Sequence, residues 1–182
     1  MNHCGTQRLE TERLVLRRFA AEDAAAMYKN WASDADVTKF LSWPTHTSQE
    51  ISEYVISDWV KKYDDEKYYS WAIVLKEIGE PIGSMAVMHM KEDISMAHVG
   101  YCIGKKWWHM GITSEALNAV IDFLFDEVGA NRIEAYHDPN NPNSGGVMKK
   151  CGMKYEGTLR GYQKTNQGIT DAYVYAILKS ER

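Results

Sequence analysis

A glycine that opens a long amphipathic helix is the feature of this chain with the clearest chemical meaning. Gly111 follows an apolar strand and the turn residues 108–110, and Ile112 begins the helix. A glycine lets backbone N–H groups approach a ligand closely, and the N-terminus of a helix favours negative charge. The turn therefore predicts a site for an anionic group such as a phosphate, held mainly by main-chain amides.

Other common binding motifs are absent. The chain contains no GxxxxGK[ST] sequence, and no GxGxxG follows a strand. Its three cysteines, Cys4, Cys102 and Cys151, form no CxxC pair, so we expect neither a disulfide framework nor a metal site. Cys102 lies in an apolar strand, where a small core residue is expected.

Composition and charge narrow the class of protein. With 182 residues, of which 45% are hydrophobic and 25% charged, the chain is expected to form one domain over residues 1–182, with its core at about 11–180. A net charge of −4 without a basic stripe argues against nucleic acid as the main partner. No apolar run approaches the ~20 residues that span a bilayer, and no hydrophobic signal core is present. We therefore expect a cytoplasmic protein without a membrane partner, either a monomer or a homodimer.

Hydrophobic periodicity and turn signals divide the chain into strands and helices. Strands are predicted at residues 13–19, 69–75, 81–90, 95–103, 132–137, 153–160 and 172–178. Helices are predicted at residues 22–31, from near Ser48, after Gly111 until Gly129, and at 144–150.

The order of these elements predicts the fold class. The strand at 95–103, the helix after Gly111 and the strand at 132–137 form a strand–helix–strand unit, which makes its two strands parallel. The other neighbours are joined by short turns and are therefore antiparallel. We predict a mixed α+β fold with one mostly antiparallel sheet of about seven strands, a parallel pair formed by the fourth and fifth strands, and about four helices.

Several short motifs occur in a fixed order along the chain. They are Thr11-Glu12-Arg13-Leu14, Trp107-Trp108 before the glycine turn, Glu115-Ala116 after it, Asn141 three residues before Ser144, and Lys150 before Gly152-Met153. Together with the element order, this set resembles the GNAT superfamily of acyl-CoA-dependent N-acetyltransferases over nearly the whole chain. The resemblance is greatest to the branch of ribosomal-protein N-terminal acetyltransferases. In that branch a basic residue usually stands at the position of Met110.

The resemblance implies that acetyl-CoA, or coenzyme A, binds as a co-substrate. Main-chain groups of the fourth strand would pair with the pantetheine arm, and amides of the turn would hold the pyrophosphate. The implied cofactor-binding residues are Cys102, Ile103, Gly104, Trp108, His109, Met110, Gly111, Ile112, Thr113, Asn141 and Ser144. A backbone N–H near Ile103, at a strand bulge typical of the family, would stabilise the oxyanion.

Acetyl transfer to an amine requires a neutral amine, oxyanion stabilisation and a proton for the leaving thiolate. The resemblance implies direct attack by the amine, with Ser144 as the catalytic proton donor; its alternative role is to cap the helix at 144–150. His98 stands where many relatives have a glutamate, and an imidazole with a reference pKa near ~6.5 is a candidate base. His137 and a chain of water molecules are the other candidates, since Gln163 stands where some relatives carry a glutamate.

The leading functional hypothesis is an N-acetyltransferase that acts on a primary amine, either a protein N-terminus or a small amine. The alternative is a non-catalytic module that binds acyl-CoA as a sensor. Residues 22–62 and the last hairpin, 162–172, are expected to shape the acceptor site. These segments carry the aromatic residues Trp31, Phe40, Trp43, Tyr54 and Tyr162.

Overall fold

The computed structural model describes residues 1–182 and contains one mixed sheet of eight strands. The strands are β1 (Leu9–Glu10), β2 (Leu14–Arg17), β3 (Ser70–Leu75), β4 (Glu80–Lys91), β5 (Met96–Ile103), β6 (Arg132–His137), β7 (Lys154–Thr165) and β8 (Gly168–Leu178). Their order is β1-β2-β3-β4-β5-β6-β8-β7, and only β5 and β6 are parallel. The predicted α+β fold with one parallel pair is confirmed, and the additional strand is the two-residue β1.

Five α-helices cover the two faces of the sheet. They are α1 (Ala24–Met27), α2 (Ala35–Thr38), α3 (Gln49–Lys61), α4 (Ile112–Asp126) and α5 (Pro142–Lys150). A cluster of 29 buried residues joins α4 and α5 to one face, and a cluster of 10 lies beneath α1–α3 on the other. None of these helices has the length and apolar character needed to cross a membrane.

The predicted helix after Gly111 is confirmed as α4. Its apolar stripe is completely buried at Leu117, Val120, Ile121 and Leu124, and this stripe fixes the helix on the sheet. Gly129 adopts a positive φ of 77° just beyond the helix, a conformation that glycine accepts without steric cost.

The first helical segment is more irregular than the predicted helix at 22–31. A 3₁₀ turn at Ala21–Asp23 leads into α1, and a π-helical turn at Tyr28–Ala32 follows. The backbone N–H and the hydroxyl of Ser33 both donate to the carbonyl oxygen of Tyr28, at 3.3 and 2.6 Å. A serine hydroxyl that competes for a helix carbonyl disturbs the regular hydrogen-bond ladder.

The start of α5 corrects the prediction for residues 144–150. The helix begins at Pro142 with Asn141 as its N-cap residue, so Ser144 is already inside the first turn and is not the cap. A proline is well suited to the first helical position because it lacks the N–H that would be unpaired there. The proline had indicated a loop in the sequence.

The parallel strands β5 and β6 separate after a short stretch of pairing. Residues 96–98 pair with residues 132–134, and beyond them the two strands diverge. β6 continues beside β8 as far as His137, and β5 continues beside β4 as far as Ile103. The edge of residues 99–103 that faces away from β4 therefore has no strand neighbour.

Two adjacent glycines of α5 test how tightly this helix packs against β6. A Cβ atom on Gly145 would lie 2.5 Å from Nε2 of the buried His137 ring, whereas one on Gly146 would meet nothing within 4 Å. We expect Gly145→Ala to lower the free energy of unfolding in urea by about 1–3 kcal/mol because it overpacks the site. Gly146→Ala should leave it unchanged or raise it by up to about 1 kcal/mol. Equal effects of the two substitutions would contradict this packing.

Candidate active site

One cleft of about 760 Å³ follows the gap between β5 and β6 and extends over the sheet face that carries α2 and α3. It brings together most of the residues predicted from the sequence, namely His98, Cys102, Ile103, Trp108, His109, Gly111, Ile112, Thr113, Asn141 and Ser144. Residues that are far apart in the chain thus meet at the one place where neighbouring strands separate.

Two predicted cofactor residues, Gly104 and Met110, do not line the cleft. Gly104 is buried, and a Cβ atom there would collide with the carbonyl oxygen of Asn30 and lie 2.7 Å from the Trp107 ring. Met110 is 54% exposed and does not line the cleft. Gly104 is therefore required for close packing at the end of β5, and Met110 takes part in the turn only through its backbone.

The turn before α4 presents a row of unpaired backbone donors. The N–H groups of residues 109–114 donate no hydrogen bond within the chain, and the first bond of the helix is from Glu115 N to Gly111 O at 3.1 Å. His109 and Gly111 have positive φ values of 61° and 75°. The indole of Trp108 donates to the carbonyl oxygen of Ile103 at 2.9 Å and ties the turn to β5. Unpaired N–H groups at a helix N-terminus form an anion-binding site.

A polar clamp holds this turn from outside the cleft. Glu115 accepts hydrogen bonds from the Thr11 hydroxyl at 2.5 Å, from Arg13 N at 2.9 Å and from Arg13 Nε at 2.7 Å. Nη1 of Arg13 also donates to the carbonyl oxygen of Met110 at 2.9 Å. Burial raises the pKa of Glu115, but the bonds from Thr11 and Arg13 outweigh it and lower the pKa overall. The clamp connects the segment before β2 to the turn before α4.

Two hydroxyl groups meet across the gap. Tyr101 Oη donates to the carbonyl oxygen of Ser144 at 3.0 Å, and Ser144 Oγ donates to Tyr101 Oη at 3.1 Å. Burial raises the pKa of Tyr101, so its phenol stays protonated. Asn141 lies one turn earlier, and its side chain makes no capping bond. The gap thus contains a hydroxyl pair and an amide side chain available to a ligand.

His98 lies on the opposite side of β5 from Tyr101, in the wall of the cleft. Its ring centroid is 4.1 Å from that of Tyr136 and 4.7 Å from that of His89. Nδ1 is 4.0 Å from Oε1 of the buried Glu134. Burial, with a smaller contribution from His89, lowers the pKa of His98 to about 4. The imidazole is therefore neutral near pH 7.

His137 is the other candidate side chain for a base, and Gln163 stands where some relatives carry a glutamate; both are restrained. His137 is buried, its Nδ1 is 2.8 Å from the carbonyl oxygen of Asp138, and burial lowers its pKa. Gln163 lines the cleft and donates from Nε2 to the carbonyl oxygen of Asp171 at 3.2 Å. Neither side chain is a strong proton acceptor at neutral pH.

The cysteines in and beside the cleft are not activated. Cys102 lines it, with Sγ 3.3 Å from the Ser84 hydroxyl, and burial raises the pKa of its thiol. Burial raises the pKa of Cys151 to about 12. Because the thiolate is the reactive form of cysteine, neither is suited to form an acyl-enzyme.

The predicted bulge near Ile103 is wrong. The pairing of β4 with β5 is regular from Gly83 opposite Ile103 to Val87 opposite Val99, and the shift in register falls at Met88 on β4. The N–H of Ile103 nevertheless has the direction that a donor to the oxyanion requires. Gly104 N donates to Ile82 O on β4 at 2.9 Å, so strand alternation directs the N–H of Ile103 into the gap.

The aromatic residues predicted for the acceptor site separate into three groups. Phe40 and Trp43 line the cleft, together with the unpredicted Trp59, Tyr68 and Tyr136. Trp31 is completely buried in the core beneath α1–α3. Tyr54 is 77% exposed, and Tyr162 packs edge-on against Tyr136 outside the cleft wall.

One unpredicted acid also lines the cleft. Asp138 is 2% exposed, and its Oδ1 accepts bonds from the backbone and side-chain nitrogens of Asn140. Its Oδ2 is buried without a partner. In the sequence, Asp138 before Pro139 indicates only the start of a turn.

Similarity in sequence identifies the class of protein to which this fold belongs. Residues 13–154 match the family model described as "Acetyltransferase (GNAT) domain". A relative from Bacillus licheniformis, named an uncharacterized N-acetyltransferase p20, is 33% identical over 95% of this chain and 97% of its own. The [ribosomal protein uS5]-alanine N-acetyltransferase of Escherichia coli is 25% identical over 85% and 82%.

The solved structures agree with these relatives. A GNAT-family acetyltransferase from Bacillus anthracis superposes with a TM-score of 0.83 at 26% identity, covering 96% of this chain and all of the other. The chain belongs to the GNAT acetyltransferase family and is an acetyl-CoA-dependent N-acyltransferase.

The clamp generates a prediction for cofactor affinity. We expect Arg13→Ala to weaken acetyl-CoA binding about tenfold, roughly 1.4 kcal/mol, because the turn loses an ion pair and a bond to its carbonyl. Isothermal titration calorimetry measures the dissociation constant directly. Arg8→Ala is the matched control, since Arg8 pairs with Glu10 at an exposed site on the neighbouring strand. Equal affinities for wild type and Arg13→Ala would contradict a role of the clamp.

Proposed function

We propose that the protein transfers the acetyl group of acetyl-CoA to a primary amine, which attacks directly while both substrates are bound. The observation that supports this proposal best is the combination, in one cleft, of an unpaired strand edge and a row of free N–H groups. Such a cleft can hold an extended amide-containing arm by its backbone and a diphosphate by the turn.

The donor would bind along the gap. The pantetheine arm would take the place of a missing strand beside residues 99–103, and the pyrophosphate would accept bonds from the N–H groups of residues 109–114. The free side chain of Asn141 is within the same gap and would bond an amide of the arm. This arrangement needs no basic side chain at position 110, because backbone dipoles and the helix N-terminus stabilise the negative charge of the pyrophosphate.

The reacting groups would meet near the hydroxyl pair. The N–H of Ile103 would stabilise the oxyanion that forms when the amine nitrogen attacks the thioester carbonyl. As the C–N bond forms and the C–S bond breaks, Ser144 Oγ would give its proton to the thiolate of coenzyme A. Tyr101 holds Ser144 in position because its phenol bonds both the hydroxyl and the carbonyl oxygen of Ser144.

The proton of the amine would leave through water. His98 and His137 both have lowered pKa values, and burial raises the pKa of Cys102, which keeps it as a thiol. The ammonium form of the acceptor would therefore lose one proton to water before attack, and the nitrogen would lose a second after it. Ser144 would regain its proton from water, so every proton in the reaction is accounted for.

The acceptor would bind on the aromatic side of the cleft. Phe40, Trp43, Trp59 and Tyr68 provide a broad apolar wall that fits a chain of several residues as well as a small molecule. Because the relative from Escherichia coli is named for acetylation of a ribosomal-protein alanine, a protein N-terminus is the first class to examine. A small primary amine is the second.

Release of free thiol from acetyl-CoA tests the proposal. We expect release with an alanine-starting peptide or with a member of a panel of small amines, and none with the same peptide blocked at its N-terminus. Mass spectrometry should find the acetyl group on the amine and no acetylated protein when the acceptor is omitted. Binding of acetyl-CoA without turnover on any amine would favour the sensor alternative, and a stable acetyl-enzyme would contradict direct attack.

Within that assay, Ser144→Ala should lower kcat by about a hundredfold, since a positioned proton donor typically contributes that much. Lys149→Ala is the control on the same helix, because Lys149 is exposed and does not line the cleft. An unchanged kcat for Ser144→Ala would remove Ser144 from the proposed mechanism.

A further inference from the structure

Three neighbouring strands present metal-binding side chains side by side. In the sheet register, His89 of β4 lies opposite His98 of β5, and His98 lies opposite Glu134 of β6. Glu134 and His98 come from the short stretch in which the two parallel strands still pair. The three residues therefore form a row across the sheet at the point where the cleft begins.

The bulge in β4 is responsible for this row. Val87 pairs with Val99, the next pair is His89 with His98, and Met88 is the extra residue between them. Without it, regular alternation would direct His89 to the face opposite that of His98. A bulge redirects the side chains that follow it, and here it brings His89 onto the same face as His98.

The distances are close to those of a metal site. The imidazole rings have centroids 4.7 Å apart, and Nδ1 of His98 is 4.0 Å from Oε1 of Glu134. One ligand atom from each of the three residues can be chosen so that all lie within 4.8 Å of one another. Bonds of ~2.1 Å to a tetrahedral zinc ion place its ligands roughly 3.4 Å apart. The site would close if His98 and Glu134 approached each other by roughly 0.6 Å and the exposed side chain of His89 rotated toward them.

The surroundings also fit a cation. Nδ1 of His98 is buried and has no hydrogen-bond partner in the chain. Glu134 is oriented by the Tyr136 hydroxyl at 2.5 Å and by Arg132 at 3.0 Å. Arg132 also bonds Glu156, so two carboxylates face one guanidinium and the group retains a net negative charge. Partners that orient a ligating carboxylate are usual around metal ions.

We propose that His89, His98 and Glu134 bind a divalent transition-metal ion, with Zn²⁺ as the best match. Two imidazoles and one carboxylate are a common zinc set, and water would complete the coordination. The ion would lie in the wall of the cleft, since His98 and Tyr136 line it. This inference concerns binding alone and does not depend on the acetyl-transfer mechanism.

Calorimetric titration of the full chain with Zn²⁺ tests the site. We expect one ion per chain, a loss of affinity of more than about tenfold in His89→Ala and Glu134→Gln, and about tenfold in Tyr136→Phe. His89 is exposed, so its replacement should not disturb folding. His3→Ala and Cys4→Ser are the controls, because these neighbouring residues are the other plausible zinc ligands near a surface.

Titration with Co²⁺ distinguishes the ligand types. The proposed site predicts visible bands of a nitrogen- and oxygen-coordinated ion that disappear in His89→Ala, with no thiolate-to-cobalt absorption. The proposal is overturned by the absence of saturable Zn²⁺ binding, by binding that survives in His89→Ala, or by binding that is lost in Cys4→Ser.

Discussion

The separation of β5 from β6 creates the open strand edge along which the cleft forms. Three residue pairs hold the parallel strands together, after which β6 follows β8 and β5 follows β4. The unsatisfied backbone edge that results would be costly if it were sealed from every partner, because buried N–H and C=O groups need hydrogen bonds. Because the cleft along that edge is open, these N–H and C=O groups remain accessible to solvent. A ligand with amide groups can form hydrogen bonds with them.

The turn before α4 depends on the same separation. Trp108 ties the turn to Ile103 on one side, and the Arg13–Glu115 clamp holds it on the other. Residues 109 and 111–114 line the cleft, and their N–H groups donate no hydrogen bond within the chain. Backbone donors in a fixed array suit an anion without a neighbouring cation, so the methionine at position 110 is compatible with the site. Arg13 is the cationic side chain that contacts the turn, and it donates to the carbonyl oxygen of Met110.

Much of this arrangement can be predicted from the sequence, and the failures have identifiable causes. The apolar stripe at Leu117, Val120 and Leu124 predicts helix α4, and the glycine at position 111 predicts where it begins. Both are local patterns, so the sequence reveals them. The clamp and the pairing of His98 with Glu134 join residues far apart in the chain, which periodicity does not reveal. The alternative role of Ser144 as a helix cap is wrong because the helix begins at Pro142. The bulge at Met88 has no local signal, since one extra residue only shifts the alternation.

Hydrogen–deuterium exchange with and without acetyl-CoA tests whether the gap and the turn together hold the donor. We expect the cofactor to slow exchange at the gap-facing amides of Tyr101 and Ile103 and throughout residues 109–114. We expect little change in the outer strand β7. Unchanged exchange in both segments under saturating acetyl-CoA, or protection confined to another part of the chain, would contradict this binding mode.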